Sequence, residues 1–530
     1  MADHFRIVFN DLLEDIQQNF KEGTTAVLAD IANIYLANSA GNSVFIKNKQ
    51  YFLEDGTSFH LEKDALIPSN SFVLVIEDNN VRQFASIIQR GFRIVIFING
   101  KPQMTGYVFN YHISYSKSGG TRLTLECKDL LEYMAQYTCL PHIVVGNKRL
   151  NVHFGPKDTL QNCLNAIAEA FYVTSSNGVG KPLLDNPIQV SVDAAHQNLQ
   201  LGSGFAFGLR TSTSGKSGVV TTNSLTKSLE HLAQPQPGES YLAYMLRMAK
   251  LAGCHLKMAN FCLDTAHYSE TIICKSPSYT FQNGTPFSIV HSYTNPLGNN
   301  VISADIKYNL ENQPSVVIME ANSTGDGKFH LSTLKGIATN ALTAYNTEVD
   351  DEGNQAGVSL QPGVSYAIAT LTQYSNANNY KQAMYPSSID NSGTSSLNQD
   401  LYDQASNIPI NTSTPFAQPH YNIAPNAHNG TEVMIAAAEY LADCQDRYVE
   451  MTYVVQGWTM PGTNYVWQPD SIVMVIDDIL APPDASAGAI SAKPFPMWIR
   501  RVNFTQSKRD GTMTKLTCTL PFTHNVVIPS

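Results

Sequence analysis

Hydrophobic and polar positions along this chain follow two periods, and the switches between them mark its elements. Near the start, Phe9, Leu12, Leu13, Ile16 and Phe20 recur at helical spacing, which predicts an amphipathic helix over 9–21. Signals are mixed from there to about Pro68. From Phe72 the period becomes two, and FVLVIED, FRIVIFI, QMTGYVF, YHISYS and TRLTLEC read as five strands. Asn99-Gly100 and Ser118-Gly119-Gly120 stand between strands, where Asn and Gly accept the positive φ of a tight hairpin turn. Five short strands joined by such turns predict a small antiparallel barrel or sandwich, closed by a helix over 128–137.

The helical period then returns. Asp158 is placed to cap a helix, with Gln161 three residues on and an apolar stripe of Leu160, Cys163, Leu164, Ile167 and Phe171. A further helix spans Glu239 to Ala252, with Leu242, Met245, Leu246 and Ala249 on one face and Gly253 as its stop. Between the two, residues 175–237 are rich in Gly, Ser and Thr and read as an insertion. CHLKM, FCLD and TIICKS read as short strands, and VISADIKYNL with PSVVIMEA as a strand pair. A polar tract over 333–430 precedes a helix expected at Glu432–Arg447. The strands VEMTYVVQGW, SIVMVIDD, MWIRRVNF and MTKLTCTL complete the chain.

One segment occurs twice. Val108–Cys127 lies over Ile499–Cys518 without a gap, a shift of 391 positions. Ser116, Lys117, Gly120, Thr121, Leu125 and Cys127 coincide with Ser507, Lys508, Gly511, Thr512, Leu516 and Cys518. Both copies read as strand, tight turn, strand, with Lys117, Gly120, Lys508 and Gly511 at the turns. The expected fold class is therefore α+β, mainly β: two similar small antiparallel β-barrels with intervening α/β domains and polar insertions. The expected division is an N-terminal helical extension over 1–66, a first barrel over 67–137 and an α/β middle region over 138–298. A second barrel takes 299–325 plus 448–530, and a polar insertion ending in a helix takes 326–447.

The chain has 530 residues, 43% of them hydrophobic and only 15% charged. Ordinary soluble domains carry about 25% charged residues. The net charge of −10 and the lack of a basic run argue against a surface built to bind nucleic acid. No apolar run approaches the length of a spanning helix, and the start does not read as a secretory signal. Eight cysteines without regular spacing read as buried thiols in a reducing compartment.

Motifs for chemistry are incomplete. Gly215-Lys216-Ser217 ends like a phosphate loop, but Arg210 stands where its first glycine belongs. Glu348, Asp350, Glu352 and Gly353 imitate half a calcium loop, with Ser359 at the position of the bidentate acid. Cys254, His255, Cys262 and His267 fit no zinc spacing, and the cysteines read as small apolar strand residues. Glu126, Glu132, Glu169 and Asp477 are the carboxylates a cell-wall hydrolase would need, yet each fits a strand edge or helix surface equally well. Trp458, Trp467 and Trp498 cluster in the last strand region, as barrel or interface anchors or as a sugar-stacking platform. The expectation is no catalytic residue, no metal and no cofactor.

Four blocks in order carry a resemblance. Leu123–Met134 (LTLECKDLLEYM), Gly238–Gly253 (GESYLAYMLRMAKLAG) and Asn299–Tyr308 (NNVISADIKY) precede a last block from Cys444 to Asp478, which includes YVVQGW, WQPD and VMVIDD. Together with their surroundings they resemble baseplate hub proteins of contractile-tailed phages, in the Mu-like and P2-like tail protein families. The resemblance implies a structural virion protein of the tail baseplate, assembled in the host cytoplasm. It implies a homotrimer of paired barrels between a sixfold tail tube protein and a threefold central spike protein. It also implies contacts with wedge or other baseplate proteins, and DNA that passes without specific binding. The competing expectations are a tail-tip cell-wall hydrolase and a host-surface carbohydrate-binding tail protein.

Overall fold

The computed structural model describes residues 5–9, 35–37, 43–45, 58–77, 93–99, 101–117, 120–140, 142–145, 148–155, 157–176, 187–201, 211–212, 221–222 and 233–259. Beyond these it describes 270–284, 286–293, 298–309, 316–321, 334–339, 366–368, 420–423, 440, 442–444, 446–447, 449–480, 494–507 and 510–521.

Six strands form a first unit: β1 (Phe5–Phe9), β2 (Ser58–Asp64), β3 (Ser71–Glu77), β4 (Arg93–Ile98), β5 (Lys101–Ser116) and β6 (Gly120–Lys128). They pair antiparallel in the order β1-β4-β5-β6-β3-β2. Alternation decides which face is buried. Phe59 and Leu61 of β2 and Leu123, Leu125 and Cys127 of β6 point inward at every second position. Asn99 (φ 51°) and Gly120 (φ 70°) turn the two hairpins, as their residue types predict.

A helical module follows. α1 (Leu130–Gln136) is capped by Asp129, which accepts a hydrogen bond from the Leu131 N–H and also from the Asn70 N–H. α2 (Leu160–Ser176) and α3 (Tyr241–Leu251) share a core with a small sheet. Ser240 caps α3 by accepting from the Ala243 N–H, and Gly253 (φ 69°) follows its end. The small sheet holds β7 (Gln189–Val192), β8 (His255–Met258) and β9 (Thr271–Lys275), in the order β7-β9-β8. β7 is parallel and β8 antiparallel to β9.

The chain then builds a second six-stranded unit: β10 (Ser288–His291), β11 (Val301–Tyr308), β12 (Val449–Gln456), β13 (Ser471–Asp477), β14 (Phe495–Ser507) and β15 (Gly511–Thr519). Its order is β10-β13-β14-β15-β12-β11. This is the first unit's order with each strand replaced by its counterpart in chain sequence. β5 and β6 correspond to β14 and β15, the repeated segment. Even the irregularities coincide. The β5–β6 register shifts between Val108 and Asn110, and the β14–β15 register shifts between Ile499 and Arg501, again 391 positions on. One difference stands out: β1 is antiparallel to β4, whereas β10 is parallel to β13.

Several expectations are corrected. The structure does not contain two separate closed barrels among its described residues; one twelve-stranded sheet runs through both units. The N-terminal 66 residues supply sheet strands β1 and β2, with Phe9 ending β1; positions 10–21 of the expected helix lie outside the described residues. QMTGYVF and YHISYS are one bulged strand, because a bulge re-aims side chains without ending the ladder. VISADIKYNL and PSVVIMEA do not pair. β11 pairs with β12, while Val316–Ala321 pairs with Leu334–Thr339 and His420–Ile423. Leu334–Thr339, Tyr366–Ile368 and His420–Ile423 lie inside the tract read as a polar insertion, and with Val316–Ala321 of the expected second barrel they make a four-stranded sheet. β10 also joins the large sheet, although its residues fall in the expected middle region.

Candidate functional site

The two units meet where β2 pairs antiparallel with β14, from Asp64 opposite Arg501 to Phe59 opposite Gln506. Leu61 faces Phe504 in this ladder, and both are fully buried. Phe59 packs against Phe72 in its own unit and against Trp458 in the other, with ring centroids 6.0 and 5.2 Å apart. The Trp458 indole N–H donates to the Thr505 carbonyl at 3.1 Å, which fixes the ring across the joint. Polar contacts flank this apolar seam. Arg501 Nε donates to Asp64 Oδ2 at 3.0 Å, and Lys101 Nζ donates to the Asn464 carbonyl at 2.8 Å.

Lys63 lies inside the joint, where its Nζ donates to Gln468 Oε1 at 2.7 Å. Burial, aided by the Lys257 charge, lowers its pKa from 10.5 to about 7. Between those values the unfolded chain binds the proton and the folded chain does not, so stability rises with pH across that window. The penalty is fully present below pH 7 and is released towards pH 10.5. Lys63→Met should therefore be more thermostable than the parent at pH 6, with the difference shrinking steadily from pH 7 to pH 10. A difference that does not change with pH would contradict this assignment.

Two strand edges of the large sheet lack a partner strand among the described residues. Residues 109–116 of β5 pair with β6 on one flank, and among the described residues no strand lies on the other. Tyr111, Ile113 and Tyr115 on this tail are 47%, 45% and 76% exposed. Their counterparts Val502 and Phe504 are buried, because β2 covers that flank of β14. β11 ends the strand order beyond β12, and among the described residues it pairs with β12 alone. Matching the shared registers carries Phe59 onto Ala304 and Leu61 onto Ile306, which are half-buried and packed against the sheet core. Aligning the copies in this way places Ile306 opposite Ile113, Ala304 opposite Tyr115 and Lys307 opposite His112. The apolar Leu61–Phe504 pair thus has an apolar equivalent, and an exposed pair lies where the polar Glu62–Asn503 pair stands.

The residues singled out from sequence fall in three groups. Trp458, Trp467 and Trp498 are all fully buried. Trp467 packs edge-on against Phe287 at 5.0 Å and Trp498 against Tyr279 at 5.5 Å, so none offers a face for a sugar to stack on. Gly120 and Gly511 both turn with positive φ, 70° and 71°. Lys117 follows β5 as an exposed turn residue, while Lys508 lies outside the described residues. Glu126, Glu132, Glu169 and Asp477 stand on four separate elements. Glu126 and Glu169 are exposed, and Asp477 is fully buried, accepting from Tyr453 Oη and from the Ile479 and Leu480 N–H groups. The phosphate-loop residues 215–217, the acidic loop 348–353, Cys262 and His267 lie outside the described residues. His255 sits on β8, and the cysteines among the described residues are buried. No helix among the described residues is long and apolar enough to cross a membrane.

Sequence reasoning missed β2 and the partnership of β2 with β14. The alternation of Phe59, Leu61 and Lys63 was the available signal, and the repeat could have located the second edge once β2 was seen.

A duplicated six-stranded unit flanking a helical module defines the fold. It is similar to the tail protein from Neisseria meningitidis MC58, with a TM-score of 0.52 and 16% identity, over 99% of each chain. It is also similar to the prophage MuSo2 43 kDa tail protein from Shewanella oneidensis, with a TM-score of 0.50 and 13% identity, over 98% of this chain and 99% of the other. No protein-family model and no curated protein matches the chain.

Proposed function

We propose that this chain is a structural baseplate hub of a phage tail, and that three copies close into a ring by repeating the β2–β14 joint between chains. The observation that carries the reading is a pair of edges without a partner strand among the described residues, β11 and the β5 tail, which are counterparts of the two strands that already pair within the chain. An unpaired apolar edge attracts another strand, so natural sheets cover or block it. A head-to-tail contact closes only if its rotation divides the circle. One joint inside each chain and one between chains give six similar units in three copies. Such a ring presents near-sixfold symmetry to a tail tube protein and threefold symmetry to a central spike protein, and wedge proteins would meet its outside. The net charge of −10 suits a channel through which DNA slides without being held. This role is positional and calls for no catalytic group; the buried tryptophans also remove the support for sugar binding.

The register supplies the test. His112→Cys and Lys307→Cys in one chain place two exposed thiols opposite one another across the proposed joint, within the Cα separation of about 4.4–6.8 Å that a disulfide accepts. Mild oxidation should give a ladder of linked chains that stops at three. The reading fails if no link forms, or if shifting one partner to Ile113→Cys links equally well.

A further inference from the structure

We propose that Asp193, His196 and Cys254 form a site for a thiophilic divalent cation of the zinc type, independent of the assembly reading. β7 and β9 are parallel, so their carboxyl ends lie together, and the antiparallel β8 begins at that same end. Asp193 follows β7, Ser276 follows β9 and Cys254 precedes β8. The ends of parallel strands are where open α/β sheets gather ligand groups. Here each of the three residues offers one ligand atom, and those atoms all lie within 4.8 Å of one another. Bond lengths of about 2.0–2.3 Å to an ion between them require only small side-chain shifts.

The donors are held in place from several directions. Asp193 Oδ2 accepts the Ser276 N–H at 3.2 Å, and Oδ1 accepts the His196 N–H at 3.0 Å and meets its ring Nδ1. The turn over 193–197 is closed by hydrogen bonds from the His196 and Gln197 N–H groups to the Asp193 carbonyl. Cys254 is 1% exposed, whereas the His196 and Asp193 side chains are 11% and 28% exposed. A cation therefore has a way in from the carboxylate side. A substrate carbonyl does not have one to the sulfur, and a nucleophilic role for Cys254 does not fit.

Charge and ligand type favour the same class of ion. Thiolate, imidazole and carboxylate together suit zinc and neighbouring transition metals, whereas calcium and magnesium take oxygen donors. A dication held by Asp193 carboxylate and Cys254 thiolate makes a neutral unit, which suits so buried a place. Without a cation, the neighbouring Cys274 thiol and burial keep Cys254 protonated. Ligation as thiolate must release the Cys254 proton to solvent, so affinity falls as pH is lowered.

The test uses the full chain and cobalt(II) as a zinc probe. One equivalent should bind, with a cobalt–thiolate charge-transfer band and release of protons at pH 7. Cys254→Ser should abolish the band and weaken binding more than about a hundredfold, beyond the usual loss for an outer-shell partner. Absence of the band in the parent, or its survival in Cys254→Ser, overturns the proposal. Should Cys254→Ser not fold, Asp193→Asn and His196→Gln on the open side carry the test. Both must weaken cobalt binding, and unchanged affinity in either overturns the assignment.

Discussion

Trp458→Ala should destabilise the folded chain by about 3–5 kcal/mol, read as a lowered midpoint in chemical denaturation. The indole is fully buried, packs 5.2 Å from Phe59 of the other unit, and donates to the Thr505 carbonyl on β14, the strand that β2 joins. Its loss leaves a cavity at the seam and removes the hydrogen bond to the Thr505 carbonyl. Trp467→Ala is the informative comparison, because Trp467 packs against Phe287, which lies just before β10. Both variants should lose stability, but only Trp458→Ala should loosen the joint, seen as faster amide exchange in β2. A loss under about 1 kcal/mol, or equal exchange in both variants, would contradict the role given to Trp458.

Tyr111→Lys combined with Ile113→Lys should convert the assembly into folded single chains. Both side chains are about half exposed in the isolated chain, where surface substitutions change stability by only about 0.5 kcal/mol. In the ring, the same positions would face β11 of the next copy and bury two unpaired charges. The penalty is several kcal/mol per ion, repeated at every joint. Circular dichroism should be unchanged while the sedimentation coefficient falls to that of one chain. Tyr137→Lys is the control: Tyr137 is 53% exposed but lies at the end of α1, away from both edges, and assembly should persist.

Much of this architecture was legible because side-chain periodicity is a local property. β3, β6 and β12 to β15, together with the three helices, follow from alternation, caps and turn residues. The 391-residue repeat was readable because the same hairpin is needed twice, down to Gly120 and Gly511 with nearly equal φ. Pairing was not legible. Nothing local in VISADIKY says that its partner is Val449–Gln456, more than a hundred residues on, and not the adjacent VVIMEA. β2 was hidden because its alternation includes Lys63, an amine that the joint takes in with Gln468 as a hydrogen-bond acceptor. The cation site was hidden for a similar reason. Cys254 invited a search among its sequence neighbours His255, Cys262 and His267, whereas the fold brings it to Asp193 and His196.

The central claim is that the β11 edge and the β5 tail of successive copies complete the joint that β2 and β14 make within one chain. The mass of the intact full-length assembly by native mass spectrometry tests it most directly. Three copies of the 58.2 kDa chain are expected for the parent sequence, and one copy for Tyr111→Lys with Ile113→Lys. A parent that is monomeric, or a trimer that survives both lysines, would contradict it.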